Sequence, residues 1–316
     1  MPADVAVLIV AFNRPDKTRR VLEAVRAAAP RRLYLAADGP RAHVPSDAEL
    51  CAATRRVLEQ IPWPCEVRRL YRPTNLGCKR GVAGAIDWLL THEESGIILE
   101  DDCLPGPDFF PFCAELLDRY RDDSDVMMIG GFNDFGSWDA AGDSYLFTHT
   151  APIWGWATWR SAWDRYDPAM RAWADSEARA VVRSRTSAAE YRLFGGKFDG
   201  VYEGRIDSWG FAWTLAILVS GGLSVMPADN LVTNIGFDGE ATHTRWRREG
   251  EVPTRRMPWP LRHPTSTTPD EAFERALFRK RFAVGRRLVA ALPPPAQERV
   301  RAAVYRLAAA VRPAAP

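Results

Sequence analysis

The chain has 316 residues, 47% hydrophobic and 26% charged, which supplies ample apolar material for a large core and excludes a disordered chain. Its net charge of +2 hides an asymmetry: residues 241–316 carry 16 Lys/Arg against 6 Asp/Glu, whereas the preceding residues carry 26 against 34, so the body is acidic and the tail basic. Five cysteines (Cys51, Cys65, Cys78, Cys103, Cys113) form no CxxC pair and have no His at finger-like spacing, which argues against structural zinc and a disulfide framework and for a reducing, cytoplasmic setting.

Val5 to Val10 is a continuous apolar run of β-branched character and reads as a central strand. It lacks a basic leader and runs into Asn13-Arg14-Pro15, so no signal peptide is expected; no stretch approaches the roughly 18 apolar residues that span a bilayer. Pro15 suits the first turn of a helix to about Ala28, with Val21, Leu22 and Val25 inward. The strand is followed by neither a GxGxxG turn nor a Walker loop, which lowers the odds of a dehydrogenase or a P-loop kinase.

Leu33 to Ala37 reads as a second strand ending in Asp38 and the turn Gly39-Pro40. A helix from about Ser46 to Gln60 leads to a third strand, Cys65 to Tyr71, and then to the loop Asn75-Leu76-Gly77-Cys78-Lys79-Arg80-Gly81. Lys79 and Arg80 either face a diphosphate or simply open a solvated helix.

Gly96 to Leu99 is a short apolar run that ends in Glu100, Asp101 and Asp102. Carboxylates at the carboxyl end of a strand in an open α/β sheet meet ligands without being buried in the core, and their oxygens suit Mg²⁺ or Mn²⁺. Taken alone, the triplet is as well explained by a turn before the helix near Asp108. That helix carries Phe109, Phe112, Cys113, Leu116 and Leu117, and Val126 to Gly131 is another buried strand. The strand–helix alternation predicts a parallel sheet covered on both faces.

Residues 132–166 differ in texture, and Ile153 to Arg160 packs three tryptophans into six positions. Such rings serve either as core or as a platform for sugar rings. An amphipathic helix is expected from Asp175 to about Phe194, an apolar one over Leu215 to Val219, and a strand over Leu223 to Met226. Asp207 is a natural N-cap or a catalytic acid. His243, in the Gly-rich polar loop Asn234 to His243, has no core to fill, which favours a ligand or acid–base role. The chain then turns Arg- and Pro-rich, with helical spacing at Phe273 to Phe282 and Val300 to Val311; this basic extension is either a packed tail or a surface for an anionic membrane. No nucleic-acid signature accompanies the charge.

In their order and spacing, the segments VLIVAFNRP, AADG, NLGCKRG, ILEDDCLP, IWGWATWR, DSWGFAW and NIGFDGEATHT resemble GT-A glycosyltransferases over roughly residues 4–245. The E-D-D form looks most like the N-acetylglucosaminyltransferase I branch and a bacterial group of surface-polysaccharide transferases. The resemblance implies a GT-A, Rossmann-like mixed and mostly parallel sheet over residues 1–245, with residues 246–316 as a helical basic extension. It implies that Asn13, Arg14, Lys79 and Arg80 lie with the nucleotide-sugar donor, that Asp38 contacts uracil, that Glu100 and Asp101 touch ribose and donor sugar, and that Asp102 ligates Mn²⁺ or Mg²⁺ with His243 as a late metal or diphosphate contact. Trp154, Trp156 and Trp209 would form the platform for a glycan or lipid-linked acceptor. Asp207 falls near the general base of an inverting displacement, with Glu203 as a rival. The other classes in play are a sugar-phosphate nucleotidylyltransferase, whose Gly-rich signature after the first strand is missing, and a carbohydrate-binding protein without chemistry.

Overall fold

A computed structural model describes residues 4–236, 252–290 and 296. It divides into two compact units, Met1–Asp270 and Glu271–Pro316. Within the second, the described residues include helix α9 (Glu271–Ala290); the first contains a short 3-10 turn at Arg171–Ala174 and the remaining helices and strands.

In chain order these are β1 (Ala6–Ala11), α1 (Pro15–Ala28), β2 (Arg32–Ala37), α2 (Asp47–Leu58), β3 (Glu66–Tyr71), α3 (Gly77–His92), β4 (Ser95–Glu100), β5 (Cys103–Pro105), α4 (Phe109–Arg119), β6 (Val126–Gly130), β7 (Tyr145–Thr148), β8 (Trp156–Trp159), α5 (Arg160–Trp163), α6 (Ser176–Ser184), α7 (Ala188–Tyr202), α8 (Trp209–Ser220), β9 (Leu223–Pro227) and β10 (Val232–Asn234). Eight strands form one mixed sheet in the order β3-β2-β1-β4-β8-β6-β9-β7, in which β7 and β8 run against the other six. This is the mostly parallel α/β architecture expected.

The apolar runs of β1 and β4 are central because both of their faces are covered: Ala6 to Ile9 and Ile97 to Leu99 have almost no exposed surface. At the edge, β3 exposes the charged Glu66, Arg68 and Arg69, which blunts an otherwise open ladder. Strand progression reverses after β3, since β4 returns to the far side of β1. Right-handed crossovers therefore put α1 and α2 on one face and α3 on the other, and α1 packs on α2 whereas α3 packs on α8 and α5.

Two elements differ from the sequence expectation. The helix expected from Asp175 to Phe194 is two helices, α6 capped by Asp175 and α7 opened by a capping box in which Ser187 accepts from the Glu190 N–H (3.2 Å) and Glu190 accepts from the Ser187 N–H (2.8 Å). With α8 they enclose a second small core of Met170, Trp173, Val182, Phe198, Val201 and Leu215. Strands β7 and β8 arise inside the Trp-rich stretch, and all four residues of each are buried.

Residues 252–270 belong to the first unit and pack on its earlier segments. Val252 O accepts from Asn230 Nδ2 (3.0 Å) and Thr233 Oγ1 (2.8 Å), Asp108 accepts from the Met257 N–H (3.0 Å), and Met257 and Leu261 join the main core. Composition changes near residue 245, whereas packing of the first unit continues to Asp270.

Candidate active site at the switch point of the sheet

The reversal of strand order falls between β1 and β4, where an open α/β sheet leaves a crevice beyond its carboxyl ends. The loop after β1 delivers Phe12, Asn13 and Arg14 there, and the end of β4 delivers Glu100, Asp101 and Asp102. The two loops are joined directly. Asp101 Oδ2 accepts the Phe12 N–H (3.1 Å), and Arg14 Nη1 lies 3.3 Å from Asp101 Oδ1 and 2.7 Å from Asp102 Oδ2.

Three acids face the Arg14 guanidinium, with Lys17 acting on Asp101 as well, so acids still exceed cations in this cluster. Burial, with Asp102 and Asp101 beside it, holds the Glu100 carboxyl above the ordinary carboxylate range. Asp101, only 6% exposed, is also raised, chiefly by burial and against the pull of Arg14.

The small antiparallel sheet of β5 and β10 brings a third segment to the cluster by pairing Asn234 with Cys103. The Ile235 N–H donates to Asp102 O (2.8 Å), and Asn234 Nδ2 lies 3.5 Å from Asp102 Oδ1. Gly236 passes so close that a Cβ there would sit 2.4 Å from Asp102 Oδ2, so only glycine leaves that oxygen room. The late motif thus reaches the acids through Asn234 and Gly236, and His243 lies outside the described residues.

A divalent cation fits the chemistry of this set. The cluster consists of hard oxygen donors with acids in excess of cations, and Asp102 Oδ2 lies between Arg14 and the close backbone of Gly236. Among the described residues no three His, Cys, Asp or Glu converge as a preformed metal cage.

Other expected donor residues lie on the same rim with different partners. Asn13 Nδ2 donates to Asp47 Oδ1 (2.9 Å), and Arg41 holds that same carboxylate through Nε (2.6 Å) and Nη2 (2.9 Å) while its guanidinium lies over the Phe12 ring. Asp47 and Arg41 were not singled out from sequence, although an acid in the first turn of a helix is a legible anchor for a basic side chain. Asp38 turns to the Asn75 loop: it accepts from the Leu76 N–H (2.9 Å to Oδ2), Asn75 Nδ2 (3.0 Å) and the Gly39 N–H (3.0 Å). Lys79 and Arg80 follow in the first turn of α3, and their side chains have no hydrogen bond or ion pair among the described residues.

Asp207 does not cap α8, whose N-cap is Ser208. Its Oδ2 accepts the Cys78 N–H (2.9 Å) and its Oδ1 the Lys79 N–H (3.2 Å), which caps α3 from 129 residues away. Glu203 is exposed and ion-paired with Arg205.

Two of the three platform tryptophans are interior. Trp156 is 0% and Trp209 2% exposed, and their rings stack on each other at 5.5 Å with Trp163 and Trp213 around them, so neither offers a face to a sugar. Trp154 is partly exposed and meets Phe132 edge-on at 4.6 Å.

No protein-family model matches the chain, and no curated protein matches it either. Solved structures with a similar arrangement include a UDP-glucose pyrophosphorylase complexed with UDP-glucose (TM-score 0.35, 9% identity, over 72% of this chain and 91% of that one). Mouse xyloside xylosyltransferase 1 in its apo form matches at TM-score 0.33 and 10% identity over 68% and 81%. HddC from Yersinia pseudotuberculosis complexed with GMP-PN matches at TM-score 0.29 and 11% identity, over 46% of this chain and 60% of HddC. At these scores and identities nothing passes from those proteins to individual residues of this chain.

Proposed function

We propose that the protein is a metal-dependent, inverting glycosyltransferase that takes a sugar from a nucleoside-diphosphate donor, with UDP as the favoured carrier, to a glycan or lipid-linked acceptor of surface-polysaccharide synthesis. The observation that carries this reading is the meeting of Arg14, Glu100, Asp101 and Asp102 at the point where strand order reverses. A dinucleotide fold would place a Gly-rich turn between β1 and α1 there; this chain places Asn13 and Arg14 instead and sets acids against them.

In this reading Asp102 holds Mn²⁺ or Mg²⁺, with His243 as a second contact, and the cation when bound neutralises the leaving diphosphate. Arg14, already between Asp101 and Asp102, supplies a fixed guanidinium next to the phosphates, and Lys79 and Arg80 add the unpartnered cations of the α3 start. Glu100 and Asp101 accept from ribose and sugar hydroxyls. Trp154 offers the partly exposed ring for the acceptor. Asp207, whose two oxygens each hold one backbone N–H and keep a further lone pair, takes the proton of the acceptor hydroxyl. The basic extension favours an anionic surface where lipid-linked acceptors reside.

Incubation with a set of nucleotide sugars, with and without Mn²⁺, tests the reading. Mn²⁺-dependent release of nucleoside diphosphate supports a transferase. Pyrophosphate release from a nucleoside triphosphate and a sugar phosphate would instead make it a nucleotidylyltransferase, and binding without turnover would make it a carbohydrate-binding protein.

A further inference from the structure

The loop between β3 and α3 is held from both sides by carboxylates distant in sequence. Asp38 takes the Asn75 amide and the Leu76 N–H, and Asp207 takes the N–H groups of Cys78 and Lys79. Between the two anchors stands Gly77, at φ +79°, where a Cβ would lie 2.7 Å from Asp207 Oδ2. The left-handed backbone and the close approach both demand glycine there. Lys79 and Arg80 come directly after the clamped segment and are otherwise unpartnered among the described residues. A carboxylate on the first free N–H groups of α3 also opposes the positive end of that helix, so the turn is held electrostatically as well as by geometry.

We infer that Asp207 is a positioning residue for the donor side of the site: together with Asp38 it fixes the Asn75–Lys79 loop so that Lys79 and Arg80 are set for the diphosphate. This rests on the nucleotide-sugar reading above and extends it. Asp207 begins the segment that enters α8, so the same carboxylate ties the entry of that helix to the start of α3. A residue acting on the acceptor proton alone would leave the affinity for a bare nucleotide untouched. A clamp on the donor loop cannot, because the cations lose their fixed positions when it opens.

Calorimetric titration of UDP in Mn²⁺, with no acceptor present, reads this directly for the wild-type protein, Asp207→Asn and Gly77→Ala. Asparagine keeps the size of the side chain but turns a donor toward one of the two N–H groups. Alanine at 77 pushes the carboxylate away without altering it. Both variants are expected to weaken UDP binding about tenfold or more, and faster hydrogen exchange at Cys78 and Lys79 should accompany the loss. The Lys79→Met/Arg80→Met double variant should reach the same reduced affinity, and adding Asp207→Asn to it should then cost little more. Unchanged UDP affinity in Asp207→Asn and Gly77→Ala, even with a lowered melting temperature, overturns the inference while leaving the nucleotide reading intact. Failure of the wild-type protein to bind UDP or any other nucleoside diphosphate rejects both.

Discussion

Asp47 is buried and accepts four hydrogen bonds, three from Arg41 and one from Asn13. The side-chain bonds from Arg41, ahead of all other causes, hold its carboxyl down to about 2, against an ordinary 3.8. A depressed carboxyl contributes stability that is present above its unfolded value and disappears as pH falls through its folded one, and a shift of this size amounts to about 2 kcal/mol. Asp47→Asn should therefore lower the unfolding free energy in urea by about 2 kcal/mol at neutral pH, with the gap narrowing as pH drops below about 4. A constant gap across that range would show that the loss comes from something other than the ionised carboxylate. Asp207 allows a second prediction at this scale. Loss of its proton-accepting role in Asp207→Asn should cut turnover by about 10² to 10⁴ at saturating donor. Removal of one of its two capping bonds should also lower stability by about 1 kcal/mol. Full activity in that variant, or the same turnover loss in Glu203→Gln, would move the base elsewhere. Trp154→Ala should raise the acceptor KM and spare donor affinity, since a lost aromatic face is worth about 1 kcal/mol of contact.

The β5–β10 pair shows how much one short element decides. Its three-residue strands bring Asn234 and Gly236 to Asp102 across more than a hundred residues of sequence. Gly236→Ala places a methyl group against the Asp102 carboxylate and should abolish the contribution of Mn²⁺ to UDP binding while the fold survives. Intact metal dependence in that variant would place the cation away from Asp102 Oδ2. Elements with strong periodicity were legible from sequence alone: β1, β2, β4 and β6 are apolar runs, and α1 and α4 carry apolar stripes. The break between α6 and α7 was also written in the chain, as the Ser187…Glu190 capping box, but the apolar spacing on either side continues and masked it. Strand β8 was hidden for a different reason. Its four residues, Trp-Ala-Thr-Trp, lie between β4 and β6, so both faces are buried and no polar alternation marks them. The same burial explains why Trp156 reads as a sugar platform in sequence and proves to be core. The acids were legible only in context, because an apolar strand that ends in three successive carboxylates can equally be a turn. Their long-range partners were not, because the capping of α3 by Asp207 and the bridge from Arg14 depend on which loops the topology brings together.

At the scale of the whole molecule, the order of strands rather than any single motif makes a site. β4 returns to the far side of β1, and this opens the crevice in which Arg14 and the three acids meet. Among the described residues no helix is long and apolar enough to cross a membrane; the membrane contact proposed for the tail is one of surface charge. The Lys/Arg surplus of residues 241–316 predicts such contact, since each cation near an anionic leaflet is worth about 1 kcal/mol. The full chain should sediment with anionic vesicles more than a chain ending at Asp270, and less so at high salt; equal sedimentation would remove the tail from that role. The central claim is that the acids at the switch point bind a nucleoside diphosphate through a divalent cation. Isothermal titration of UDP into wild-type protein and Asp102→Ala, each with and without Mn²⁺, tests it. The account predicts that Mn²⁺ tightens UDP binding to the wild-type protein at least tenfold, about 1.4 kcal/mol, and has no such effect on the folded variant. Metal-dependent UDP affinity that survives undiminished in Asp102→Ala, or wild-type affinity indifferent to Mn²⁺, would contradict it.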